Sequence, residues 1–155
     1  MGIEIERKYL VATEGWRDVV RSTQKLRQGY LTAGGGVTVR VRTVDDRTGY
    51  ITIKSGGSAL ARAEFEYEIP IADARQLLGY SRGSQIEKTR HSLTLPGGDW
   101  VVDEFEGRHR GLVIAEVELE RPTGALELPA WLGDEVTGDP QYYNSSLAML
   151  VGGEI

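Results

Sequence analysis

The sequence predicts a mainly β chain with a few helices, an α+β arrangement built on an antiparallel sheet of about eight strands. Several segments alternate strictly between polar and apolar residues, the period of a strand with two unlike faces. Short glycine-containing loops join them, which favours hairpins over parallel crossovers. The polar face of one segment after another is charged rather than merely hydrophilic. With 155 residues and 40% hydrophobic content, the chain suits one domain spanning 1–155 and can bury a real core.

Residues 3–10 read as the first strand, with Glu4, Glu6 and Lys8 on one face and Ile3, Ile5, Arg7 and Tyr9 on the other. Residues 14–22 read as a short amphipathic helix from the spacing of Trp16, Val19 and Val20, and 25–31 as a short strand packed through Leu26 and Tyr30. A turn is expected at 33–36. Strand 37–44 sets Val37, Val39 and Val41 against Thr38, Arg40 and Arg42. A hairpin loop over 45–49 returns it into strand 50–54, whose polar face holds Thr52 and Lys54. After a loop at 56–58, strand 62–69 opposes Arg62, Glu64, Glu66 and Glu68 to Ala63, Phe65, Tyr67 and Ile69, and Pro70 ends it. Helix 72–78 follows. Strand 85–95 carries Lys88, Arg90 and Ser92 on one face, turns at 96–99, and runs into strand 100–106, which holds Asp103. A turn over 107–111 leads to strand 112–120, with Glu116, Glu118 and Glu120 on one face. In the tail, Trp131 and Leu132 form an apolar anchor and 141–150 reads as a helix.

The net charge of −5 conceals an uneven distribution. Every Lys and Arg lies at or before Arg121, and the tail beyond it holds five acids and no base. An acidic chain of this kind lacks the basic face of a nucleic-acid binder. The absence of cysteine excludes disulfides, thiolate metal sites and a Cys nucleophile. No apolar run reaches membrane-spanning length, and the charged N-terminal stretch lacks the apolar region of a signal peptide, so a cytoplasmic location is expected.

Burying charged faces is costly unless the charges are paired or bind ions. If the apolar faces point outward against helices, the sheet closes into a barrel with a charged interior, half acidic and half basic. A ligand rich in negative oxygens together with divalent cations satisfies both halves. Arg and Lys grip phosphate, and carboxylates hold Mg²⁺ or Mn²⁺. The alternative is an open sheet with a salt-bridged, solvated outer face.

Glu4-x-Glu6-x-Lys8, Gln28-Gly29-Tyr30-Leu31, Val39-Arg40-Val41-Arg42, Ile53-Lys54, Arg62-x-Glu64-x-Glu66, Glu87-Lys88-Thr89-Arg90, Glu116-Val117-Glu118 and a C-terminal Tyr143-Asn144-x-x-Leu147-Ala148 follow one another in the order seen in the CYTH superfamily. Along nearly its whole length the chain resembles the triphosphate tunnel metalloenzymes of that superfamily, most closely their compact bacterial inorganic triphosphatases. The resemblance implies an eight-stranded antiparallel closed barrel with outer helices, its tunnel plugged at one end by a C-terminal helix. It also implies metal-dependent hydrolysis of a small-molecule triphosphate, with two ions, Mg²⁺ or Mn²⁺. Carried over by position, Glu4, Glu6, Glu116 and Glu118 become metal ligands, with Asp103 as a further one. Lys8, Arg40, Arg42, Lys54, Lys88 and Arg90 become phosphate contacts. Glu64, Glu66 and Asp103 become further ligands or orient water and the basic residues, and Lys8 or Lys88, with a pKa lowered by neighbouring cations, positions or deprotonates that water. The expected reaction is cleavage of inorganic tripolyphosphate to pyrophosphate and phosphate. The alternatives are a nucleoside or thiamine triphosphatase, a class IV adenylate cyclase, or a polyphosphate-binding module without turnover. No nucleic-acid or membrane partner is expected, and a homodimer is one of the states open to the chain.

The remaining candidates have plainer readings. His91 alternates away from Lys88 and Arg90, so it belongs outside the tunnel, and His109 sits in a solvated turn. Trp16, Trp100 and Trp131 read as packing residues. Tyr30 fits either a core tyrosine or a hydroxyl reaching the tunnel. Some relatives place a basic residue on the plug helix, but this tail has none, leaving Tyr142, Tyr143 or Ser145 to replace that phosphate contact.

Overall fold

A computed structural model describes residues 2–32, 36–55, 61–96, 98–120 and 126–149. The predicted loop at 56–58, most of the turn at 33–36 and Leu150 lie outside the described residues. Among the described residues, nine strands form one sheet: β1 (Gly2–Val11), β2 (Val20–Thr32), β3 (Val37–Val44), β4 (Thr48–Ser55), β5 (Ala61–Ile69), β6 (Arg82–Leu93), β7 (Asp99–Phe105), β8 (Val113–Glu118) and β9 (Leu132–Glu135). The order is β5-β4-β3-β2-β6-β7-β8-β1-β9, and a further pairing of β5 with β1 closes the first eight strands into an antiparallel barrel.

Strand β1 is the closing strand because it is shared. Its residues Glu6–Leu10 pair with β8, while its first residues pair with β5, setting Glu4 opposite Arg62. Beyond the end of β5, β9 takes over that edge, with Tyr9 opposite Glu135 and Val11 opposite Leu132. The chain after β9 continues the cover: Val136 N–H donates to Lys8 O at 2.8 Å and Thr137 Oγ1 accepts from Lys8 N–H at 2.9 Å. No open edge of β1 is left at this level, which suits a strand that would otherwise template pairing with another chain.

The alternation places the two faces as expected for a barrel. Outside, Tyr9, Trp16, Leu93, Trp100, Val102, Ala115, Val117 and Trp131 form a buried cluster. The expectation that helices cover the outer face holds for one side only. Helix α1 (Ile71–Leu78), which begins directly after Pro70, lays Ala74 and Leu78 against Val41. A side chain on Gly49 would meet Ala74 Cβ at 2.5 Å, so the helix rests almost directly on the β4 backbone. The other side is covered by Trp16, on a 3₁₀ turn (Gly15–Val19), and by Trp131 from the tail.

That turn corrects the helix predicted over 14–22. The chain leaves the helical path at Val20 because Val20–Thr32 are taken into the sheet, with Val20 opposite Leu93 and Leu26 opposite Val44. The strand predicted over 25–31 is therefore one part of a 13-residue strand. The strand predicted over 85–95 shifts to Arg82–Leu93, and that over 112–120 shortens to Val113–Glu118.

The single C-terminal helix predicted over 141–150 is also corrected. Pro140–Tyr142 form a 3₁₀ turn with Asp139 accepting from Gln141 N–H at its start; Tyr143 is extended; and α2 (Asn144–Met149) follows. Leu147 and Ala148 of α2 enter the barrel end and pack on Tyr30, Ile86, Phe105 and Ile114, inward-facing residues of four strands. His109, predicted to be solvated, has Nε2 3.0 Å from Leu147 O and helps hold this plug. Among the described residues, no helix is long and apolar enough to cross a membrane.

Candidate active site

Above the apolar plug, the barrel encloses a cavity of about 250 Å³. Its wall carries the carboxylates of Glu4, Glu6, Glu64, Glu66, Asp99, Glu116 and Glu118 and the cations of Lys8, Arg40, Arg42, Lys54, Arg62 and Arg90. Alternation explains the gathering. In a barrel, every second residue of every strand points to the axis, and these strands place charge at those positions. The open-sheet alternative is excluded by the closure of β1 on β5.

The ion pairs are graded. Lys54 Nζ holds both oxygens of Glu4, at 2.8 and 2.9 Å, and lies 3.7 Å from Glu64. Burial alone would raise the Glu4 carboxyl, but Lys54 outweighs it and keeps Glu4 below its usual pKa. Glu116 sits between Lys8 at 3.8 Å and Arg90 at 3.7 Å. Against the cost of burial, these two cations hold it at about 2. Among the described residues, Glu6 has no cation within ion-pair distance. Burial, then Glu116 and Glu4, push it up to about 7. Burial and Glu4 do the same to Glu64, which also rises to about 7, and Glu118 is raised by burial and Glu4. One side of the cavity therefore holds more negative charge than its own cations neutralise.

Arg40 Nη2 donates to Thr52 Oγ1 at 3.1 Å and lies 3.6 Å from Glu66, to which Thr52 also donates at 2.8 Å. Arg42 has a different partner: its Nε donates to the neutral Gln28 Oε1 at 2.8 Å. Among the described residues, no carboxylate reaches ion-pair distance of Arg42.

Two predicted site residues stand behind the wall and do not line the cavity. Asp103 and Lys88 are both fully buried. Asp103 receives Arg90 Nε and Nη2, each at 2.8 Å, and Lys88 Nζ at 2.8 Å. Lys88 also donates to Asn144 Oδ1 on the plug at 3.1 Å. Burial would raise Asp103, but Arg90 and then Lys88 hold it well below the usual carboxylate range. Lys88 falls to about 7, driven by burial against the pull of Asp103, with Arg90 adding repulsion. Of the two lysines for which a lowered pKa is expected, Lys88 has one and Lys8 does not: Glu116 and Glu6 outweigh burial and keep Lys8 above its usual value.

The other expectations find these places. Tyr30 is buried in the plug cluster and its side chain also reaches the cavity wall, so both of its readings hold. His91 lies outside the tunnel, hydrogen-bonded to Thr23 at 3.0 Å and Glu104 at 2.7 Å and packed on Trp16. From the plug, Tyr143, Asn144 and Ser145 line the cavity, while Tyr142 packs in the apolar cluster. The Tyr143 ring carries Lys8 Nζ at 5.9 Å and Arg62 Cζ at 5.5 Å, within the range of cation–π attraction. The sequence already sets Arg62 on the charged face with Glu64 and Glu66 and Asn144 in the C-terminal motif, without a role for either; Thr38 and Asp99 are cavity residues it does not single out.

Residues 2–146 match the CYTH domain family. The inorganic triphosphatase of Acetivibrio thermocellus is 42% identical over 148 residues, covering 95% of this chain and 94% of that protein. The inorganic triphosphatase of Nitrosomonas europaea is 39% identical over 152 residues, covering 96% and 98%. Among solved structures, that of the inorganic triphosphatase NE1496 matches with a TM-score of 0.70 and 36% identity over 99% of both chains. A Pyrococcus horikoshii protein, 21% identical with a TM-score of 0.60 over 77% of this chain and 80% of its own, shares the fold. By motif order, by barrel closure and by these matches, the chain belongs to the CYTH domain family.

Proposed function

We propose that this protein hydrolyses inorganic tripolyphosphate to pyrophosphate and orthophosphate with the help of divalent cations. The observation that carries the reading is the composition of the cavity, onto which seven carboxylates and six cations of the described residues face. The inorganic triphosphatase names of its relatives point the same way.

The donor set fits hard divalent cations. Glu6 and Glu64 lie near 7 because burial and neighbouring carboxylates oppose their ionisation, and a bound cation would relieve both. Glu4, Glu6, Glu116 and Glu118 would hold Mg²⁺ or Mn²⁺, in one or two sites. Among the described residues, no three acids already converge on one point. That suits an ion such as Mg²⁺, which takes one or two carboxylates and completes its shell with phosphate oxygens and water. Once bound, such ions neutralise phosphate charge and activate water.

The chain's own residues supply binding and orientation. Arg40, Arg42 and Arg90 present guanidinium forks to phosphate oxygens, with Lys8 and Arg62 beside them. Lys54 pairs with Glu4 and would be free to turn to phosphate were that carboxylate to hold a cation. The water oxygen bonds to the terminal phosphorus, and the bridging oxygen leaves with pyrophosphate. A carboxylate oxygen of Glu64 accepts the proton released by the water, and Glu66 orients Arg40. The fixed cations stabilise charge developing on the leaving group without reorganising at that moment.

Side-by-side specificity constants for tripolyphosphate, ATP and pyrophosphate, with Mg²⁺ and with Mn²⁺, test the reading. Tripolyphosphate is expected to exceed ATP by at least roughly tenfold, since a nucleoside stays at the mouth and adds bulk without transition-state contacts. An ATP value equal to or above that of tripolyphosphate would overturn the assignment.

A further inference from the structure

Gln28 is fully buried on the inward face of β2. Its Oε1 accepts from Arg42 Nε at 2.8 Å, and its own Nε2 has no hydrogen-bond partner among the described residues. The amide orientation follows from Arg42, because a guanidinium Nε–H only donates and the amide must face it with oxygen. Arg42 is half-buried at the cavity wall, and partial burial together with Arg40 and Arg90 lowers it to about 9. The neighbouring cations are treated differently. Lys8, Arg40, Lys54 and Arg90 each have a carboxylate within ion-pair distance. A glutamate would have nearly the shape of Gln28 and would neutralise Arg42, yet the chain places an amide there.

We infer that Gln28 is a positioning residue: its neutral amide aims the Arg42 fork into the cavity while leaving the Arg42 charge uncompensated, so that the ligand's phosphate supplies the missing anion. A half-buried guanidinium with no carboxylate at ion-pair distance is less favourable than a paired one, and that deficit becomes affinity when an anion binds. Charge at position 28 thus sets how tightly the tunnel holds phosphate. The inference rests on the triphosphatase reading for its substrate, but on geometry alone for the anion site.

The test compares Gln28→Glu with Gln28→Met, each with and without Arg42→Ala. Gln28→Glu is expected to pair with Arg42 and raise KM for tripolyphosphate roughly tenfold to a hundredfold, with kcat within about threefold. The thermal midpoint of the ligand-free variant should be unchanged or higher, a combination that simple damage to the fold would not give. Gln28→Met removes the aim but adds no charge, so it should raise KM less. In the Arg42→Ala background, Gln28→Glu should have little further effect. Equal KM values for wild type and Gln28→Glu, equal effects of Glu and Met, or an undiminished effect without Arg42 would each overturn the inference. Calorimetric titration with inorganic pyrophosphate in metal-free buffer reads the anion site without turnover. A wild type that fails to cleave tripolyphosphate would sink the proposed function, while the pyrophosphate titration would still decide the role of Gln28.

Discussion

In excess chelator, tripolyphosphate hydrolysis by this protein is expected to fall at least roughly a thousandfold and to return on addition of Mg²⁺ or Mn²⁺. A cation at a reacting phosphoryl group contributes several kcal/mol of charge stabilisation, and about 1.4 kcal/mol is already tenfold in rate. The cavity adds a reason of its own. Without a cation, the crowded carboxylates Glu4, Glu6, Glu64 and Glu118 face a highly negative substrate. Glu6→Gln should lower turnover by a similar order while making the metal-free protein more stable above neutral pH. The sign follows from its pKa. The folded value of Glu6, about 7, lies above the unperturbed 4.5, so the native state binds more protons between those values. Its contribution to stability is present below about 4.5 and is lost as pH rises through 7. Glu64 behaves alike. Thermal unfolding in chelator should therefore show wild-type stability declining across this window, and the decline should shrink in Glu6→Gln. Added metal should raise the wild-type midpoint by mass action. Undiminished turnover in chelator would sink the metal-dependent mechanism.

The tunnel was legible in the sequence because each strand repeats one simple pattern. A residue such as Arg40 or Glu116, flanked by apolar neighbours, reveals its face through the period of two alone. Closure was less visible, since it depends on β1 pairing with both β8 and β5, a long-range choice that no local pattern encodes. Strand β9 left no signal at all. Leu132-Gly133-Asp134-Glu135 has neither alternation nor β propensity. It is a strand because β1 has a free edge there and because Arg7 grips Glu135 at 2.6 and 2.9 Å. The 3₁₀ turn at Trp16 was misread for a similar reason: helical spacing over 14–20 is real, but sheet pairing from Val20 onward outweighs it. Alternation also names the face of a residue without giving its depth. Asp103 and Lys88 point inward as expected, yet they are consumed by one another and by Arg90 before reaching the cavity.

Replacing Asp103 should be the most damaging single change to the stability of this protein. Its carboxylate is fully buried and receives Lys88 and both near nitrogens of Arg90, all at 2.8 Å. Removing one partner of a buried ionic cluster leaves the others unpaired in a low-dielectric site, a loss of about 3–5 kcal/mol. Asp103→Leu strands two cations, of which Arg90, among the described residues, keeps the more distant Glu116 at 3.7 Å. Urea unfolding at neutral pH should show that loss. In Lys88→Met/Asp103→Leu it should be partly recovered, because the surplus cation leaves with the acid. The pH dependence has the opposite sign to that of Glu6. Asp103 is depressed in the native state, so its contribution is present above the unfolded value of about 4 and disappears as pH falls through its native value. The difference between wild type and Asp103→Leu should therefore narrow only in strong acid. Activity distinguishes this role from metal ligation. A residue that orients Arg90 and, through Lys88, docks Asn144 of the plug should raise KM for tripolyphosphate when lost, while the affinity for Mn²⁺ stays near wild type. A variant with wild-type stability and a weakened Mn²⁺ site would instead return Asp103 to the metal ligands.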